Sequence, residues 1–110
     1  MDKQKRESFR VEFPRSHYPV ININGKLFDV FDASEFGIKF YSNKNSSFKI
    51  DQSLSASIIF PDQESYTINA SIVRIETNFI SIKLSTPLPL SKIRSEHLFL
   101  MQKFPEKRRA

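Results

Sequence analysis

Two short segments carry the residue types that could recognise a ligand. Arg6-Glu7-Ser8-Phe9-Arg10 sets two arginines four positions apart near the start of the chain. A guanidinium is a planar fork that bonds the O6 and N7 of guanine bidentately or clamps phosphate, which an ammonium does less well. Asp32-Ala33-Ser34-Glu35-Phe36-Gly37 brings a carboxylate, a hydroxyl and a glycine close together. The carboxylate can accept from the Watson–Crick edge of guanine, the hydroxyl can add a bond to base or phosphate, and glycine permits tight reversal and close ligand approach. The second pattern is the more specific, because the chain has only 2 glycines. Both segments also have a plain reading, in which Asp32 and Ser34 close an Asx-type turn ended by Gly37 and the arginines are solvated arm residues.

Other chemistry is thinly represented. With His17 and His97 as the only histidines and no cysteine, there is no nucleophile–base arrangement, metal-ligand spacing or glycine-rich phosphate loop, so an enzyme and a metal or cofactor site are not expected. His97 falls on an apolar stripe and reads as a core or boundary residue.

The elements that must position these residues follow from the rest of the chain. Its 110 residues suit one domain, and 11 phenylalanines supply bulky core material despite a mean hydropathy of -0.39. The net charge is +5, but residues 16–90 hold six basic and seven acidic groups, so the excess sits at the two ends. That distribution argues for local anion-attracting segments and against a broad nucleic-acid face. Neither an apolar leader nor a span long enough for a membrane is present, and the lack of cysteine suits a cytoplasmic setting.

Beyond Pro14 and Pro19 the pattern is of short β-branched and aromatic runs. Tyr18–Asn24 and Leu27–Ala33 read as a hairpin with positive φ at Asn24-Gly25. Gly37–Ser42 alternates Ile38 and Phe40 against Lys39 and Tyr41, and Leu54–Phe60, Tyr66–Glu76 and Phe79–Ser85 complete six strands. Six strands at this size favour a closed antiparallel barrel, which removes exposed edges. Ile93, His97, Leu100, Met101 and Phe104 recur at helical spacing, with Ser91 as N-cap and Pro105 as stop. The expectation is a mainly β protein: an N-terminal ligand-binding arm over 1–15, a six-stranded barrel with a short C-terminal helix over 16–104, and a basic tail over 105–110. Phe9 and Val11 alone anchor residues 1 to about 12, so the arm is expected to be mobile until a ligand orders it.

At the two segments the chain resembles the PilZ family, whose hallmarks are an Arg-x-x-x-Arg arm followed by Asp/Asn-x-Ser-x-x-Gly. The resemblance extends to Ala70-Ser71-Ile72-Val73-Arg74, similar to a later family strand ending in arginine, to Ser81-Ile82-Lys83-Leu84, and to a terminal helix over 92–104. The chain departs from the pattern at Glu35-Phe36, often Leu-Gly in the family, and at Ser81, often glycine. The resemblance implies a six-stranded antiparallel barrel that binds cyclic di-GMP. Arg6 and Arg10 then engage guanine Hoogsteen edges and phosphates, while Asp32, Ser34 and the backbone near Gly37 receive a guanine. The residue before the first arginine helps set ligand number in the family, and Lys5 there points to two ligands and a further contact.

The expected function is a stand-alone cyclic di-GMP receptor that signals to an unidentified effector protein through ordering of its arm. A PilZ-like protein-assembly module without ligand is one alternative, and a small barrel binding single-stranded nucleic acid is another. Arg74 is expected to form a strand-surface ion pair.

Overall fold

Period-two alternation of Ile, Val and Phe dictates the architecture. The computed structural model describes residues 9–43 and 47–104. In chain order these form β1 (Arg10–Glu12), a 3-10 turn (Arg15–His17), β2 (Val20–Ile23), β3 (Lys26–Ser34), β4 (Gly37–Tyr41), β5 (Ser53–Ile59), β6 (Ser65–Ile75), β7 (Phe79–Leu84) and α1 (Leu90–Lys103). Ile38 and Phe40 of β4, Ile80 and Ile82 of β7 and Ile58 of β5 all point into one core and are almost wholly buried. Residues between them, such as Lys39, Tyr41 and Ser81, face outward.

The strands close into a six-stranded antiparallel barrel in the order β3-β2-β5-β6-β7-β4, with β4 returning to β3. Asn24 (φ 53) and Gly25 (φ 86) form the two-residue turn between β2 and β3, as the sequence pattern indicates. Strand ends agree with the sequence reading to within about two residues.

One strand was not anticipated. Arg10–Glu12 pairs with β3 in the register Arg10↔Ser34, Val11↔Ala33 and Glu12↔Asp32, and Phe13 N–H donates to Phe31 O at 2.9 Å. The cause is an alternation that runs Phe9, Val11, Phe13: Val11 and Phe13 are buried, and Phe9 packs edge-on against His97 with ring centroids 4.8 Å apart. Each such burial is worth about 1.5–3 kcal/mol, comparable to the backbone entropy lost per ordered residue or two, so the ladder bonds to β3 decide the balance. The arm is therefore part of the sheet from Arg10 onward rather than waiting on a ligand to order it. Residues 1–8, with Lys5 and Arg6, and the tail 105–110, with Pro105, lie outside the described residues.

The helix also begins differently. Its N-cap is Pro89, in extended conformation (φ -61, ψ 130), not Ser91; Pro89 O accepts from Lys92 N at 3.0 Å and Ile93 N at 3.2 Å. The φ of Pro89 is already helical and only its ψ is extended, so the helix starts at Leu90 and Ser91 falls inside its first turn. Ile93 and Leu100 face the core, and His97 is half-buried, as its position on the stripe indicated.

A buried ammonium pins α1 to the barrel. Lys92 Nζ lies 2.6 Å from Asp62 Oδ2, 2.8 Å from Glu64 Oε1 and 3.0 Å from Glu96 Oε2, and 4.9 Å from the centre of the Phe60 ring. Burial pulls the Lys92 pKa down, but its hydrogen bonds to Asp62, Glu64 and Glu96 outweigh that and the net shift is upward. Replacing Lys92 by methionine leaves Glu96 buried without its cation. Lys92→Met is expected to lower unfolding stability by about 2–3 kcal/mol, below the full buried-pair value because Asp62 and Glu64 remain half exposed. Denaturant melts of Lys92→Met with and without Glu96→Gln check this: the second change should restore part of the loss, and an undiminished loss would assign it to packing instead.

Candidate functional site

The barrel brings Arg10, the last residue of the first segment, to the second. Arg10 lies opposite Ser34 across β1 and β3, and its Nη1 donates to Asp32 Oδ1 at 2.7 Å. The partners differ in environment: the Arg10 side chain is 51% exposed and that of Asp32 only 6%. Ser34 is also buried, and its hydroxyl donates a long bond to Gly37 O at 3.4 Å. Arg10, Asp32, Ser34 and Gly37 thus meet at the outer face of β1, β3 and the turn into β4; Arg6 and Lys5 lie outside the described residues.

Two carbonyls hold that turn in place. Glu35 O accepts from Leu88 N at 2.9 Å and Phe36 O from Leu84 N at 2.8 Å, so the Glu35-Phe36 departure from the family pattern is clamped between β7 and the linker into α1. Gly37 is not in the left-handed region, and a Cβ there would meet Ile82 O and Ser34 Oγ at 3.6 Å, ordinary contacts. The tight reversal expected of Gly37 is therefore not what demands glycine. What its missing side chain leaves out is a methyl in contact with the Ser34 hydroxyl.

Asp32 sits in a row of charges. Glu12 faces it from β1 and Lys39 from β4, where a bulge between Val30 and Asp32 shifts the register. Burial raises the Asp32 pKa above its ordinary 3.8, and the attraction of Arg10 and Lys39 does not cancel this because Arg10 is half in water. The row continues outward through Ser81 of β7 to Arg74 of β6. Arg74 makes the expected surface ion pair, to Glu76 Oε2 at 3.3 Å.

Sequence reasoning missed Lys39 and Lys83. Charge counted along the chain makes the body look neutral, but β4 and β7 set Lys83 opposite Gly37 and Lys39 opposite Ser81, on the face that carries Arg10. Beside them Phe31, Tyr41 and Phe79 gather on the same outer surface, with ring centroids 4.7–5.7 Å apart. The Tyr41 hydroxyl is 2.9 Å from that of Tyr18, and its pKa is pushed up to about 12, by burial and then by that bond, so the cluster is neutral at physiological pH. The strand alternation at Gly37–Tyr41 was the available signal: it marked Lys39 and Tyr41 as outward, though not what would stand beside them.

On the other side of Arg10 is a cleft of about 360 Å³ between β1, the 3-10 turn and α1, walled by Arg10, Arg15, Tyr18, Phe31, His97 and Met101 among others. Two larger grooves, of about 630 and 1030 Å³, contain none of Arg10, Asp32, Ser34 and Gly37. Among the described residues no group of three or more acidic or histidine side chains could hold a metal ion, and no helix is long and apolar enough to cross a membrane.

The raised Asp32 pKa has a definite sign. The folded chain holds that proton more tightly than the unfolded chain, so the Asp32 contribution to stability falls as pH rises from 3.8 through its higher folded value, and is constant above it. Asp32→Asn removes the term. The melting temperature of Asp32→Asn minus that of the wild type should accordingly grow between about pH 3 and about pH 7. A difference that stays flat over that range would mean that Arg10 fully compensates the burial.

No family model matches the chain, and no curated protein matches it. Solved structures do. The structure of the K. pneumonia MrkH–c-di-GMP complex superposes with a TM-score of 0.65 at 18% identity, covering 97% of this chain and 56% of that one. The Bacillus subtilis inhibitor of motility MotI/DgrA gives 0.70 at 16% identity, covering 92% and 53%. An uncharacterized Legionella protein, Lpg0364, gives 0.53 at 13%, covering 93% and 99%. The chain spans about half the length of the first two. At such identities the likeness is one of fold, and the fold is PilZ-like.

Proposed function

We propose that this chain is a receptor domain for cyclic di-GMP that passes the signal to a protein partner and carries out no reaction of its own. The observation that carries the reading is the Arg10–Asp32 contact at 2.7 Å, beside Ser34 and Gly37. Residues 22 positions apart, whose chemistry separately fits phosphate and the guanine edge, are brought to one spot by the pairing of β1 with β3. The PilZ-like fold supports it, as does the neighbour solved with c-di-GMP bound. Arg6 and Lys5 are assigned to the same ligand from the sequence pattern, with Lys5 favouring two ligands per chain.

Binding on this reading is an exchange. Arg10 turns from Asp32 to a phosphate or a guanine Hoogsteen edge, and Asp32 and Ser34 accept the Watson–Crick edge of a guanine that covers them. Because β1 is already in the sheet, the signal lies in the re-pairing of Arg10 and in whatever Arg6 and Lys5 gather, rather than in the ordering of residues 10–12.

Calorimetry with cyclic di-GMP, cyclic di-AMP, GTP and a short single-stranded oligonucleotide tests this. Cyclic di-GMP alone should bind with substantial affinity; binding of the oligonucleotide instead would favour the nucleic-acid reading, and no binding at all the assembly module. Arg10→Ala and Asp32→Ala should each weaken cyclic di-GMP by about 1–3 kcal/mol, five- to hundredfold. Gly37→Ala should keep the melting temperature while weakening the ligand, since its Cβ is tolerated by the fold but projects beside Ser34. Tighter binding by Asp32→Ala would remove the role given to that carboxylate.

A further inference from the structure

The Asp32–Ser34 position accounts for one guanine, and a ligand with two purines leaves the second to be placed. One strand away from Asp32, Lys39 Nζ hangs 5.7 Å from the Phe31 ring centre and 5.1 Å from that of Phe79. The two rings are 5.4 Å apart, and Tyr41 closes the group at 4.7 Å from Phe79. These side chains lie on the outer face of β3, β4 and β7, where alternation puts polar residues on an ordinary barrel. Phe31 reaches that face because it is the residue at the bulge between Val30 and Asp32. Among the described residues Lys39 has no carboxylate within ion-pair distance, although Asp32 feels its charge.

We infer that Phe31, Phe79 and Lys39 form a second subsite, which holds the other purine by stacking while Lys39 meets a phosphate. This rests on the cyclic di-GMP reading and extends it. Asp32 and Phe79 are two strands across and two residues along the sheet from one another, roughly 12 Å at ordinary strand spacing and rise, a span that a two-base ligand bridges. Continuity with the Arg10–Asp32 contact and the positive charge of Lys39 select an anionic planar occupant over an apolar one. The rings offer a π-face and the ammonium only a donor, so this subsite does not distinguish guanine from adenine. The ligand is then read at one base and merely held at the other.

The wild-type protein tests the idea without any variant. A mixed cyclic dinucleotide with one guanine and one adenine should bind within about fivefold of cyclic di-GMP, because the guanine takes the Asp32 position and adenine stacks as well as guanine does. Cyclic di-AMP should not bind. In parallel, Phe79→Leu, its fold checked by melting temperature, should weaken cyclic di-GMP about five- to hundredfold, and Lys39→Gln should weaken it while reducing its salt dependence. A mixed ring as poor as cyclic di-AMP, or cyclic di-GMP affinity unchanged in both variants while Asp32→Ala loses it, overturns the subsite and leaves the receptor reading standing. Wild-type protein that binds none of the three rings overturns the reading on which the subsite rests.

Discussion

Asp32 carries its carboxylate where water scarcely reaches, and the surrounding structure is arranged around that burial. A lone buried carboxylate would take up a proton or drag the strand outward. Here Arg10 comes from one side and Lys39 from the other, and Glu12 adds a repelling charge on the same row. The compensation is incomplete, since desolvation still dominates the shift in its pKa. A pair left partly uncompensated is easier to open than one buried on both sides, which is what the proposed exchange of Arg10 onto a ligand requires. The half-exposed guanidinium makes that possible: Arg10 can leave without first being pulled out of a core.

The same row explains why β3 is the organising strand. On one edge it pairs first with β2 and then with β1, and on the other with β4, with the bulge falling between Val30 and Asp32. The bulge sends Phe31 to the outer face beside Tyr41 and Phe79 and lets Asp32 share a register with Lys39. A β3 without the extra residue would turn one of these two side chains into the barrel, so the carboxylate and the aromatic surface are consequences of one irregularity.

How much of this was legible in the sequence depends on the range of the interaction involved. The hairpin at Asn24-Gly25, the six barrel strands and the apolar stripe of α1 rest on neighbours a few residues away, and the local pattern carried them. β1 was also encoded locally, in the alternation of Phe9, Val11 and Phe13, but three residues beside a charged terminus look like an arm until β3 is there to pair with them. Lys92 carries no signal of its own in the sequence, because its three carboxylate partners include Asp62 and Glu64, 30 and 28 positions away. Lys39 was read as merely outward-facing, since nothing in its own strand says that Asp32 and Arg10 stand alongside. The residue types of the candidate site could be named from the sequence; the charges and rings that share its surface come together only through strand register.

Register also ties the site to α1. Leu88, the residue that leads into the helix, donates to Glu35 O within the Asp32–Gly37 segment, and four residues later Lys92 locks the helix to the β5–β6 turn. The far half of α1 is held differently: His97 touches Phe9 just before β1, while Phe99 and Phe104 rest on His17 of the 3-10 turn. The helix is therefore fixed by charge at its start and leans by aromatic edges on the segment that contains Arg10. On the proposed reading, a shift of β1 as Arg10 changes partner would act on the leaning half and not on the pinned one, because rings in edge contact slide at small cost whereas the Lys92 cluster does not. Leu98 and Phe99, both exposed on that half, are the apolar side chains such a movement would re-present to a protein partner.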